Sequence, residues 1–278
     1  MKLNRNNVML GLHYLILIVL VFVFIFPLLW MLLSSFKSER TMMTDLYSGF
    51  KAFLPTEVSL DNYKEVFSRM NFGKYLFNSI FVSGMTVGIG LIINSMAGYA
   101  FARLDFPGKD IIFAVIVSLV IIPFQSIVLP LFLVVKDLGM LDSYGALIIP
   151  FIANAFSIFM FRQFFLNIPK EVEEAAQIDG CGFLRTFFQV IVPMSKPVFA
   201  TATILNFTGV WNQFLWPLVA TTDPKFSTIQ IGIQEFFTQQ PVYYSQIMAA
   251  LTIASLPMLI LFVSLQKYFI NGMGGMGK

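Results

Sequence analysis

Charged side chains withdraw from six long stretches of the chain, and everything else is arranged around those gaps. No Asp, Glu, Lys or Arg occurs in Tyr14–Phe36, Tyr75–Ala102, Ile111–Val135, Ser143–Phe161, Pro197–Thr222 or Phe236–Gln266. A charge at the centre of a membrane helix costs roughly 2.5–3.5 kcal/mol on the insertion scale, so its absence over such lengths is informative. The last stretch opens with Thr238, Gln239, Gln240 and Gln246, which moves the start of its span to near Ile247. The pattern predicts an all-α, polytopic membrane protein with transmembrane helices near 10–34, 76–101, 111–135, 144–166, 198–220 and 246–269. Lys2 and Arg5 suit the basic start of a cleaved signal peptide. However, the apolar run Tyr14–Leu33 exceeds the usual ~7–15 residues and no Ala-x-Ala site follows, so the first helix reads as a retained anchor.

Composition agrees. The 278 residues are 57% hydrophobic and 12% charged, against ~25% charged in a typical soluble domain. Too few polar groups remain to coat a soluble domain, which excludes soluble enzymes, nucleic-acid binders and disordered chains. A single Cys excludes an internal disulfide framework and a Cys-based metal site. The net charge of +3 is small and dispersed, so it indicates no anionic partner.

Lys and Arg set the orientation. With six spans both termini share one side, which carries Lys2, Arg5, Arg103, Lys109, Arg162, Lys170, Arg185, Lys196, Lys267 and Lys278. The opposite side carries eight, six of them in or bordering the long first loop, residues 35–75. With that loop set aside the balance is ten against two, so both termini are expected in the cytoplasm. The remaining outer connections are a turn at Lys136–Asp142 and residues 221–245; the inner ones are Arg103–Asp110 and a long charged segment from about 162 to 197.

That inner segment carries the chemistry. Pro169 suits a first helical position, and Glu171, Glu173 and Glu174 follow where a helix dipole favours carboxylates. Gly180 suits a left-handed stop. A helix of ~10 residues is too short to be stable alone in water and must pack on something. Ala175 and Ala176 remove bulk and admit a close neighbour. A second short helix fits Phe183–Val192, with Phe183, Phe187 and Ile191 on one stripe before Pro193, facing the membrane or the undersides of the spans.

Glu174-Ala175-Ala176, three residues, Gly180, nine residues, then Val190-Ile191-Val192-Pro193 resembles the EAA loop of ATP-binding-cassette importer permeases. The family pattern ends Ile-x-Leu-Pro, so Val190 and Val192 are conservative departures. Tyr99-Ala100-Phe101-Ala102-Arg103-Leu104-Asp105-Phe106-Pro107-Gly108-Lys109, Ile168-Pro169, Ile178-Asp179-Gly180, the stretch from Trp211 to Leu218 and the tail Gln266-Lys267-Tyr268-Phe269 are similar to carbohydrate-uptake permeases. The whole resembles the smaller six-helix membrane subunit of the maltose-type systems.

The resemblance implies one permease domain over 1–278, with a coupling loop at about 167–197 and a C-terminal tail at 271–278. It implies that Glu174, Ala175, Ala176, Asp179 and Gly180 dock on a cytoplasmic ATPase. Glu174 would pair with a basic residue there, the alanines would allow close approach, and Gly180 would set the turn. ATP-driven closure would then turn the permease pair from inward- to outward-facing. Gly180→Asp or Ala176→Asp is expected to uncouple hydrolysis from uptake with the fold intact. The implied partners are a second homologous permease, two copies of an ATP-binding subunit, an extracytoplasmic sugar-binding protein, a saccharide and the lipid membrane, with no nucleic acid. No cofactor is expected in this chain, ATP and Mg belonging to the partner ATPase. The implied location is a prokaryotic inner membrane.

Other features have narrower readings. Asn206, Trp211, Asn212 and Gln213 in the fifth helix are candidates for a translocation path, since sugars offer hydroxyls and apolar ring faces. The rival is hydrogen bonding between helices plus an interfacial belt of Trp211 and Trp216, and Asn94 and Asn154 read the same way. The resemblance also implies that Gln234, Phe236, Phe237 and Tyr243 are candidates for contact with the binding protein, against a simple connection. Gly84 and Gly88 form a small-xxx-small pair, with Gly98 further along. The tail Gly272–Lys278 has G-x-x-x-x-G-K spacing but lacks the following Ser or Thr and helix of a phosphate loop. The resemblance instead suggests that it reaches between the ATPase subunits. His13 reads as a headgroup-level residue and Cys181 as a small loop residue. An ion-coupled carrier usually needs an intramembrane carboxylate, and no span has one at its centre. No catalytic constellation supports a membrane enzyme. A permease for a non-sugar solute stays open.

Overall fold

The computed structural model describes the backbone of residues 5–45, 47–54 and 57–274, and the side chains within these except those of 5–8, 50–51 and 269–274. Among the described residues the regular structure is helical, with no strand. The chain divides into two compact units, Met1–Phe72 with Gly232–Leu256, and Gly73–Ile231 with Pro257–Lys278.

In the first unit, α1 (Arg5–Ser34) contains the span Met9–Ser34, with no part of its most apolar window buried inside the chain. The stretch after it, read as a loop, is instead folded. Ser38 Oγ accepts the Thr41 N–H at 3.2 Å and opens α2 (Glu39–Asp45). Lys37 is 1% exposed; its ammonium pairs with Asp45 at 3.1 Å and donates to the Ala52 carbonyl at 3.0 Å. Asn62, in α3 (Asp61–Arg69), donates to the carbonyls of Ser35 and Lys37 at 2.8 and 2.7 Å. A buried lysine is tolerable only with its charge paired and its hydrogens placed, and this cluster ties Ser35 and Lys37 to Asp45, Ala52 and Asn62.

The second expected span is a single helix, α4 (Phe72–Arg103). The third is broken: α5 (Lys109–Ser118) runs through a 3₁₀ turn at Leu119–Ile121 and then bends by 108° into α6 (Phe124–Asp137). Pro123 causes this, because it lacks an N–H and pushes Ile122 into extended backbone (ψ 119). The fourth splits into α7 (Tyr144–Ile152) and α8 (Ala155–Leu166). Asn94 bridges that gap: its Nδ2 donates to the Ile152 carbonyl and its Oδ1 accepts the Asn154 N–H, each at 2.9 Å. Asn154 in turn caps α8 by accepting the Ser157 N–H at 2.8 Å. Asn94 therefore does the interhelical bonding expected of it, whereas the Asn154 side chain is spent on a local helix cap.

Between α6 and α7 the chain turns at Asp142 (φ 53). Its carboxylate accepts the Thr222 and Asp223 N–H groups and the Thr222 hydroxyl, the last two at 2.9 Å. These donors, the Asp223 N–H foremost, hold the Asp142 carboxyl below the usual carboxylate range. A lowered folded-state value means stabilisation that is complete above the ordinary range and is lost as pH falls through the lowered value. Asp142→Asn should therefore lower the melting temperature at neutral pH, and melting curves in acid should show the gap to wild type closing.

After α9 (Glu171–Ile178), the predicted helix Phe183–Val192 appears as α10 (Phe183–Thr186), a π-helical turn at Phe187–Ile191 and α11 (Val192–Met194). It then bends by 81° into α12 (Lys196–Trp211). The fifth span does not continue to residue 220 as expected. It stops at Trp211, and α13 (Leu215–Ala220) restarts so that Pro217 falls in a first turn, where a missing N–H costs nothing. The expected connection 221–245 holds a further helix, α14 (Ile229–Thr238). The last helix is α15 (Tyr244–Gly274), and the rest of the glycine tail lies outside the described residues. Among the described residues four helices are long and apolar enough to cross a membrane, and up to six spans result if each bent pair is one span.

Candidate functional site: the loop helix

The loop helix α9 is held by its inner face. Arg103, the last residue of α4, donates from Nε to Glu173 Oε1 at 2.5 Å and from Nη2 to the Ile168 carbonyl at 2.6 Å. Both charged side chains are buried, 6% and 13% exposed. Val172 and Ile168 join an aromatic cluster of Tyr99, Phe161, Phe165 and Phe187, in which Tyr99 and Phe187 stand 5.0 Å apart. Phe187 and Ile191 of the predicted stripe are fully buried against the undersides of α4 and α8, while Phe183 lies over Tyr99 at 4.9 Å yet stays 42% exposed.

The end of α9 is a Schellman stop. Gly180 has φ +82, its N–H reaches the Gln177 carbonyl at 3.0 Å, and the Cys181 N–H reaches the Ala176 carbonyl at 2.9 Å. The helix begins at Glu171, so Pro169 stands just outside it rather than in its first position.

Two faces result. Val172, Glu173 and Ala176 turn inward, and Glu171, Glu174, Ala175 and Ile178 form an exposed stripe at helical spacing, followed by exposed Asp179 and Gly180. Ala176, 7% exposed, is consumed by the chain's own packing and is not available to a partner. An aspartate there would disturb the fold itself, contrary to the expectation that the variant leaves it intact. Ile178, 87% exposed at the tip, is the apolar group this surface presents, and sequence reasoning missed it. Its i, i+3, i+4, i+7 register with Glu171 is the signal that could have found it. Arg103 and Glu173 had no such signal, being joined only through the fold.

The candidates in the fifth helix separate. Asn206 donates to Ser157 Oγ and to the Ala202 carbonyl, each at 2.8 Å, which is the interhelical bonding of the rival reading. Trp211 and Trp216 are buried, not an interfacial belt. Trp211 stacks on Phe207 with centroids 5.4 Å apart, and Trp216 Nε1 donates to the Ala146 carbonyl at 2.9 Å. Asn212 is exposed and accepts from Gln230 at 3.5 Å. Asn206 and Gln213 both line a groove of about 490 Å³, with apolar Leu131, Phe151 and Phe156.

Among the candidates for binding-protein contact, Gln234 and Phe237 are exposed. Phe236 is 3% exposed and packs edge-on against Phe72, so it is core. Tyr243 is half-buried beneath the Arg69 guanidinium at 5.0 Å. A Cβ added at Gly84 or Gly88 would meet no group of another element within 4 Å among the described residues, whereas one at Gly98 would meet α8 directly.

Residues 90–275 match the family described as binding-protein-dependent transport system inner membrane component. The chain is 34% identical over 253 residues to the arabinooligosaccharides transport system permease protein AraQ of Halalkalibacterium halodurans, covering 91% of this chain and 90% of that one. It is 34% identical to the diacetylchitobiose uptake system permease protein NgcG of Streptomyces coelicolor (87% and 80% covered). It is 32% identical to the sn-glycerol-3-phosphate transport system permease protein UgpE of Brucella abortus (94% of each). In fold it matches a chain of a bacterial ABC transporter involved in import of the acidic polysaccharide alginate, with a TM-score of 0.83 over 97% of this chain and 99% of that one, at 24% identity. A family model spanning most of the chain and relatives matched nearly end to end leave one conclusion: this multi-pass membrane chain belongs to the binding-protein-dependent transport permeases of the ATP-binding-cassette importers.

Proposed function

We propose that the chain forms half of the translocation pathway of an ATP-driven saccharide importer and takes its power stroke through α9. The observation that carries this is a short helix bolted on one face by the buried Arg103–Glu173 pair and offering Glu171, Glu174, Ala175 and Ile178 on the other. Such a helix transmits a push, because its inner contacts leave it no freedom to yield. In this reading an ATP-binding subunit, present in two copies and carrying ATP and Mg, closes on the exposed stripe. Asp179 and Gly180 finish the docking surface. A second homologous permease supplies the other half of the path, and an extracytoplasmic binding protein delivers cargo near Gln234, Phe237 and Tyr243. Both termini are cytoplasmic, in a prokaryotic inner membrane. The nucleotide-driven change is a two-state element biased by ATP.

The oligosaccharide cargoes named for two of the relatives favour a sugar. A second reading, a polar non-sugar solute, is favoured by the relative named for sn-glycerol-3-phosphate. Uptake by the reconstituted complex with its binding protein, screened across oligosaccharides and glycerol phosphodiester or monoester cargoes, distinguishes the two. Ile178→Asp and Ala175→Asp should each abolish ATP-driven uptake while the membrane complex keeps its melting temperature; uptake at the wild-type rate in both variants would remove α9 from the coupling.

A further inference from the structure

Ser83 on α4 and Thr228 at the head of α14 are 1% and 6% exposed, and neither hydroxyl has a hydrogen-bond partner among the described residues. Both line one cavity of about 10 Å³, together with the half-buried Gln213 at the break between α12 and α13. Neighbouring Ser79 is already engaged, its hydroxyl accepting the Ile229 N–H at 2.7 Å. The remaining lining is apolar, including Val82, Leu147 and Trp216.

A hydroxyl removed from water without a partner costs stability, and two that open on the same small void share one remedy. The volume matches the roughly 10–15 Å³ that one water needs, and three polar groups fall within the 2–4 partners it requires. No acidic or imidazole group lines the cavity, which favours a neutral occupant over a cation. We propose that Ser83, Thr228 and Gln213 hold a single buried water that pins α4, the head of α14 and the α12–α13 break together. Gln213 also lines the larger groove of about 490 Å³, so the water fixes the amide that stands between the two spaces.

Radiolytic hydroxyl labelling of the purified transporter tests this with an internal control. Trp216 and Trp211 are both buried, 1% and 3% exposed, but only Trp216 lines the cavity. The expected result is labelling of Trp216 severalfold faster than Trp211. Ser83→Val, which fills the void, should bring Trp216 down to the Trp211 rate. Where that variant fails to assemble, the volume-conserving Thr228→Val, which removes one of the three polar partners, should lower Trp216 labelling part of the way. Equal labelling of the two tryptophans in the wild type, or undiminished Trp216 labelling in the variants, overturns the proposal.

Discussion

Arg103→Ala should cost about 3–5 kcal/mol, the usual penalty for leaving one member of a buried ion pair unpaired. The figure needs no reduction for solvent screening, because both side chains are nearly out of water, 6% and 13% exposed. The same substitution frees the Ile168 carbonyl that Arg103 also holds. Thermal melting of the purified complex should show a large downward shift, and uptake should fall because α9 has lost its bolt. Arg103→Ala combined with Glu173→Ala removes the stranded carboxylate and should be markedly less damaged than the single variant. A single variant that melts and transports like wild type would mean that α9 is held by its apolar contacts alone.

Gly98→Val is also expected to damage folding. A Cβ at Gly98 would stand 2.6 Å from Phe161 Cβ, 3.0 Å from the Arg162 nitrogen and 3.1 Å from the Ile158 carbonyl oxygen. Two of those neighbours are backbone, so no rotamer change relieves them; α4 and α8 must separate. Overpacking of this kind costs about 1–3 kcal/mol, occasionally more, and the separation also loosens the Tyr99–Phe165–Phe187 cluster on which α9 rests. Gly84→Ala and Gly88→Ala are the matched controls, since no group of another described element lies within 4 Å of either added Cβ. The yield of folded membrane protein and its melting temperature should fall for the first variant and hold for the other two.

What the sequence made legible follows from the range of the forces involved. The spans followed from charge exclusion, which needs only composition. The stop at Gly180 followed from the one residue that takes φ +82 without strain. The stripe of Phe187 and Ile191 followed from helical periodicity, and its burial under the spans matches that reading. The breaks were harder. Pro123 and Pro217 are visible in the sequence, yet prolines also occur inside intact helices, as Pro27 and Pro257 do here. At the α7–α8 break the freed backbone is met by Asn94, which bonds Ile152 and Asn154, a partner that no local pattern announces.

The candidate site divided along the same line. Membership in the loop was local and readable; orientation was not. Ala175 and Ala176 are adjacent and chemically alike, but only the packing of α9 on α8 and α4 shows that one faces outward and the other is spent inside. The pairing of Arg103 with Glu173 and of Lys37 with Asp45 joins residues that no periodicity relates. The resemblance makes Phe236 a candidate for contact with the binding protein, and the helix Ile229–Thr238 turns it inward instead.

The exposed stripe of α9 as the receiver of force is the claim on which the account stands. A photo-crosslinking residue introduced at Ala175 of the assembled transporter tests it most directly. The account predicts a dominant adduct with an ATP-binding subunit whose yield changes when ATP is added. A residue at this position that captures only lipid, solvent or its own chain, in a transporter that still imports, would contradict it.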